Sequence, residues 1–199
     1  MSAEFERVTA YLQALPRGLR SYPDFQVKAS LFRFALAARP VKGNLDGLPP
    51  QLAKVLREPP LASDWLSEVE YCAGTLAIAD LYAMNETMFK VFWYDVMKLV
   101  NTGKIYGFLV SMLTPEQLLS GMAMRWGVFH RGVRCDAKAS PEGMEVTLTY
   151  PPGLLDPLSI KGYVAVFQSV VDVSRHPQSR VTFLGATPTS ARYRLAIRS

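Results

Sequence analysis

From Thr114 onward the apolar positions fall first at helical and then at strand spacing. Leu118, Leu119, Met122, Trp126 and Phe129 recur at the interval of one buried helical stripe. Thr114 supplies an N-cap, Pro115 the first helical position and Gln117 the far side of a capping box. Arg125, His130 and Arg131 fall where the helix dipole favours cations, and Gly132 suits a left-handed residue that closes the helix. After Gly132 the period becomes two. Val133, Cys135 and Ala137 alternate with Arg134, Asp136 and Lys138; after a turn at Ser140–Gly143, Met144, Val146, Leu148 and Tyr150 alternate with Glu145, Thr147 and Thr149. Leu158–Ser174 reads as a helix whose Gly162 and Ala165 allow close packing on a sheet. Val181–Leu184 and Ala191–Arg198 read as a second hairpin turning near Thr187–Thr189, with Ala191, Tyr193, Leu195 and Ile197 inward. Helix, hairpin, helix, hairpin implies a four-stranded antiparallel sheet with its helices on one face.

The chain before Thr114 reads as helices only. Ala3–Leu15 is amphipathic and stops at Pro16; Asp24 caps a helix to Arg39; Gln51–Arg57 is short. Ser63 or Asp64 caps a long helix to about Tyr82, with Trp65, Val69, Cys72, Leu76 and Ala79 as its stripe. Asn85–Val100 carries Met88, Phe89, Phe92, Trp93, Val96 and Met97, and Lys104–Leu113 is a further apolar helix. The expected fold is α/β (α+β): one domain over 1–199, with a helical half at 1–113 packed on a sheet half at 114–199.

Composition narrows the function. Nearly half of the 199 residues are hydrophobic, enough for a core and against disorder. The apolar runs are too short to cross a bilayer, and the first ten residues do not read as a signal peptide. Two cysteines without CxxC spacing fit free thiols in a cytoplasmic protein. The formal charge of +5 lies mostly in the sheet half, but no basic cluster or nucleic-acid motif accompanies it, so it reads as a solvated sheet face.

Three passages carry a resemblance: Tyr22–Leu36 (YPDFQVKASLFRFAL), Leu48–Val69 (LPPQLAKVLREPPLASDWLSEV) and Leu118–Gly132, with its Arg-Trp-Gly-x-Phe-His-Arg-Gly ending. Together they resemble an uncharacterised myxobacterial paralogous family of about this length. The order of elements from the Thr114 helix, with Leu148-Thr149-Tyr150 and the later Ile160–Val164, also resembles the haem-nitric-oxide-binding fold shared with the 4-vinyl-reductase domain and TRAPP-like transport-complex subunits. That resemblance implies a ligand or acyl chain between the two halves. Its haem members use a His on the helix before the sheet and a Tyr-x-Ser-x-Arg run. Here Tyr150 is followed by Pro151, Pro152, Gly153 and Leu154, and the usual spacing back from Tyr150 reaches Gly121–Met122. Haem iron needs a strong axial ligand, so no haem and no other cofactor is expected.

The candidate apolar pocket is Phe92, Trp93, Met97, Met112, Met122 and Trp126, set against the plain alternative of ordinary core. Cys72 is a candidate acyl site by resemblance to TRAPP-like relatives, set against a small buried hydrophobe. His130 reads as a helix-terminal His, His176 as exposed, and Asp64 with Glu68 as a solvated pair. No catalytic or metal constellation is marked. The expected function is a non-catalytic ligand-binding or sensory module holding an apolar small molecule or acyl chain. The alternative is a protein-interaction or scaffold subunit, paired with a protein partner or as a homodimer. An enzyme ranks third.

Overall fold

A computed structural model describes residues 5–101, 113–174 and 178–196. In chain order these form α1 (Glu6–Ala14), β1 (Gln26–Lys28), α2 (Ala29–Ala38), α3 (Pro50–Arg57), β2 (Trp65–Ser67), α4 (Glu68–Leu81) and α5 (Glu86–Asn101). They continue with α6 (Pro115–Phe129), β3 (His130–Arg131), β4 (Arg134–Ser140), β5 (Gly143–Thr149), α7 (Pro157–Asp172), β6 (Arg180–Thr187) and β7 (Ser190–Ala196). The expected Lys104–Leu113 helix, Met112, His176 and the end of the last strand lie outside the described residues, apart from Leu113 itself.

The larger sheet runs β4-β5-β7-β6, antiparallel throughout, as the alternating pattern predicts. Its register places Val146 between Ala137 and Tyr193, and Leu148 between Cys135 and Ala191. Those inward residues meet α7: Phe167 packs edge-on against Tyr193 at 5.0 Å, and the Tyr193 hydroxyl donates to the Ile160 carbonyl at 2.8 Å. Asp156 caps α7 by accepting from the backbone of Leu158 and Ser159. α6 lies beside α7 and over β4, and α5 packs along α7 with α2 beyond it.

Gly162 corrects the sequence reading. It serves α5 and not the sheet: a Cβ there would stand 2.8 Å from Trp93 Cδ1 and 3.1 Å from Phe89 Cε1.

The second sheet is absent from the sequence reading. It has three strands in the order β2-β1-β3, and both pairings are antiparallel. Val27 sits opposite Leu66 on one side and His130 on the other. The helix expected from Asp24 therefore begins only at Ala29, and the one expected from Ser63 or Asp64 begins at Glu68, capped by Ser67. These short strands join three distant parts of the chain: β1 bonds to both of the others, and β2 and β3 each bond only to β1.

α4 is the interior helix. Every residue from Glu68 to Ala79 is buried, so the single stripe expected there is replaced by burial all round. Phe32 covers Gly74, where a Cβ would stand 2.6 Å from its ring. Asp80, at the far end of α4, accepts from the Arg7 backbone at 3.1 Å and from Arg7 Nη1 at 2.7 Å, which holds the start of α1. Met88, one of the apolar groups expected on the Asn85–Val100 helix, is 47% exposed.

Candidate functional site

The start of α4, the end of α6 and the first turns of α7 converge at one junction. Glu68 enters because Ser67 is pinned in β2 and the Glu68 backbone donates to the Phe25 carbonyl at 2.9 Å. Its carboxylate is fully buried and lies 3.1 Å from His130 Nδ1. His130 closes α6 through its backbone N–H to the Trp126 carbonyl, then pairs with Val27 as part of β3. It does occupy a helix terminus, but as a buried partner of Glu68. The Asp64–Glu68 pair expected on a solvated face does not form; Asp64 instead accepts from the Leu61 backbone in the preceding turn. Gly132 adopts the expected left-handed φ of +88°, but after β3, where Phe25 leaves no room for a side chain.

Trp126 stacks almost flat on His130, with centroids 4.3 Å apart and planes 11° apart. Tyr163 of α7 lies 6.1 Å beyond it. The Trp126 ring is 7% exposed, and its Nε1–H is buried without a hydrogen-bond partner among the described residues. A buried donor left unmatched costs about 1–3 kcal/mol, so such atoms are few. Tyr163 is half-buried, yet burial pushes its hydroxyl well above the ordinary range, with Glu68, Tyr71 and Cys72 adding to the shift. Met122, one turn before Trp126, is also half-buried and packs against the core.

The candidate pocket residues divide. Met122 and Trp126 belong to this junction. Phe92 and Trp93 form an aromatic cluster with Phe89 and Tyr71 at centroid distances of 5.3 to 6.1 Å, on the α5 flank of α7. Met97 is half-buried one turn farther along α5.

Cys72 is 2% exposed beneath Tyr11, and burial raises its thiol well above the usual value. Burial also pushes Cys135 up, to about 12. Both are free thiols. The Tyr150 hydroxyl is another buried group without a partner among the described residues, and burial raises it to about 12. Among the described residues no group of three or more His, Cys, Asp or Glu is placed to hold a metal, and no helix is long and apolar enough to cross a membrane. A surface cleft of about 420 Å³ between α1 and Gly47–Pro49 is lined in part by Val8, Leu12 and Leu48.

The sequence matches no protein-family model and no curated protein. Among solved structures it resembles H-NOX domains, the haem-nitric-oxide-binding fold. A Cs H-NOX mutant with the unnatural amino acid 4-cyano-L-phenylalanine aligns at TM-score 0.56 and 10% identity, covering 87% of this chain and 97% of that one. An H-NOX mutant from K. algicida in the unliganded Fe(II) state aligns at 0.53 and 9%, covering 86% and 97%. An H-NOX protein from S. oneidensis in the Fe(II)NO state aligns at 0.51 and 11%, covering 84% and 98%. At such identities the likeness establishes an H-NOX-like α+β fold.

Proposed function

We propose that this chain is a non-catalytic ligand-binding or sensory module that holds an apolar small molecule or acyl chain between its halves, without haem. The observation that carries this reading is the α6–α7 junction. Trp126 packs against the half-buried Tyr163 there, with Met122 one turn earlier on α6, and the seam retains a buried donor without a partner among the described residues. The fold supports it, since the structural neighbours include proteins in iron-ligated states.

The residues do not suit a porphyrin. Leu154, where the resemblance would place the propionate-binding Arg, is fully buried among apolar groups, and its carbonyl accepts from Tyr11. Gly121 and Met122 stand where the resemblance would place the axial His. His130 is buried, with one face of its ring covered by Trp126. Tyr150 alone is shared with the haem-binding pattern.

Burial supports the non-catalytic reading, because it keeps the Cys72 and Cys135 thiols protonated. An acyl chain on Cys72 is the less favoured form, because a thiol held protonated is a poor nucleophile. Free cysteines accord with a cytoplasmic location, and membership of the myxobacterial paralogues rests on the three quoted passages alone.

Native mass spectrometry of the purified chain, with organic extraction, tests the proposal. A bound apolar mass and no porphyrin Soret band is the expected result. A ligand-free chain that takes up no hydrophobic probe would end it.

A second reading, the interaction subunit, draws on the outer face of α6. Met124 is 82% exposed, Val128 58% and Phe129 39%. Light scattering showing a dimer that Val128→Glu dissolves would favour it.

A further inference from the structure

Trp126 cannot readily turn to find an acceptor. One face lies flat on His130, whose Nδ1 is engaged by Glu68 and whose backbone is part of β3. Tyr163 stands on α7 at 6.1 Å. An indole N–H only donates, and this one is buried with nothing to donate to. The charge around the junction is one-sided. The titratable groups acting on Tyr163 are Glu68, Tyr71 and Cys72 from α4 and Tyr193 from the sheet, all of which become anions on losing a proton. The basic group at the junction, His130, is already held by Glu68. Among the described residues the buried groups at the junction offer an anionic head no cation beyond His130, and burying an unpaired charge is strongly unfavourable.

We propose that the Trp126 Nε1–H is a hydrogen-bond subsite for an uncharged acceptor, the carbonyl of an ester, ketone or amide, on the apolar ligand. Met122 and Tyr163 flank the apolar part next to that group. This rests on the reading that a ligand occupies the seam, and it adds the polarity of the ligand's head.

The test uses the whole chain, labelled with nitrogen-15, and three probes of similar length: methyl decanoate, decanoate and undecane. The indole signals of Trp65, Trp93 and Trp126 are assigned sequentially in the wild-type chain. Methyl decanoate is expected to move the Trp126 indole proton downfield. It should also bind the wild type roughly fivefold more tightly than Trp126→Phe, about the net worth of one hydrogen bond. Undecane should bind both proteins alike. The indole shift is read in the wild type and stands even if the variant does not fold. Undecane binding with an unmoved Trp126 signal on adding the ester would overturn the subsite and leave the apolar site intact. Tighter binding of decanoate than of its ester would also overturn it. Failure of all three probes to bind would remove the ligand-binding reading and the subsite with it.

Discussion

Glu68 Oε1 lies 3.1 Å from His130 Nδ1, with the carboxylate fully buried and the imidazole side chain 5% exposed. The two residues stand 62 positions apart, at the start of the interior helix and the end of α6. They tie the helical half to the segment that leads into the sheet.

Removing one partner leaves the other buried without its match. Glu68→Ala and His130→Ala are each expected to destabilise the chain by about 3–5 kcal/mol, as for other broken buried pairs. The double variant should lose less than the sum of the two. Urea unfolding of the four proteins measures the coupling, and strictly additive losses would show that the contact adds nothing.

That pair was hidden from sequence reasoning for a physical reason. Glu68 directly precedes the apolar run from Val69, at the acidic first turn that any solvated helix would show. His130 follows a helix, where a cation is ordinary. The one available hint was an acid between Leu66 and Val69, two residues that turn out fully or nearly buried. The strands that bring the two together have two or three residues each, too few to display a period.

Two glycines set how closely the helices approach. A Cβ at Gly74 would stand 2.6 Å from the Phe32 ring, and one at Gly162 would stand 2.8 Å from Trp93. Phe32 is fully buried and Trp93 nearly so. Gly74→Ala and Gly162→Ala should each cost about 1–3 kcal/mol through overpacking, despite the better helix propensity of Ala. Thermal unfolding measures this; unchanged midpoints would mean that the rings move aside freely.

Asp80 holds the first turn of α1 from another helix. Its side chain is 4% exposed, while that of Arg7 is 39% exposed. Asp80→Ala should loosen α1 before the rest of the fold, with hydrogen exchange at Thr9–Leu12 accelerating roughly five- to thirtyfold relative to α4, from a loss of roughly 1–2 kcal/mol in local capping. Uniform acceleration across both helices would argue against a local clamp.

Glu86 gives a pH signature. Hydrogen bonds from Lys161 and then Lys90 lower its carboxyl from 4.5 to about 2. Because the folded value lies below the ordinary one, its contribution to stability is present above 4.5 and is lost as pH falls toward 2. The group is exposed, so salt should move the value back toward 4.5. Carboxyl NMR titration with and without added salt checks both statements, and a midpoint near 4.5 at low salt would refute the pairing.

Cys72 and Cys135 should resist a thiol reagent at pH 8 in the native chain and react fully after unfolding, since burial raises both thiols. Rapid native labelling of Cys72 would instead revive it as a modification site.

What the sequence determined was local. The capping box at Thr114 and Gln117, the hairpins about Ser140–Gly143 and Thr187–Thr189, and the inward sets on β5 and β7 follow from period, cap and turn chemistry within a few residues of chain. Tertiary structure decided what faces α4 on every side, the joining of Val27, Leu66 and His130 in one small sheet, and the burial of Glu68 beside an imidazole. Those outcomes depend on partners distant in the sequence, as Leu66 and His130 are from Val27. No local pattern can encode such a partner, because a short extended triplet or a lone acid acquires its environment only when the distant segments close over it.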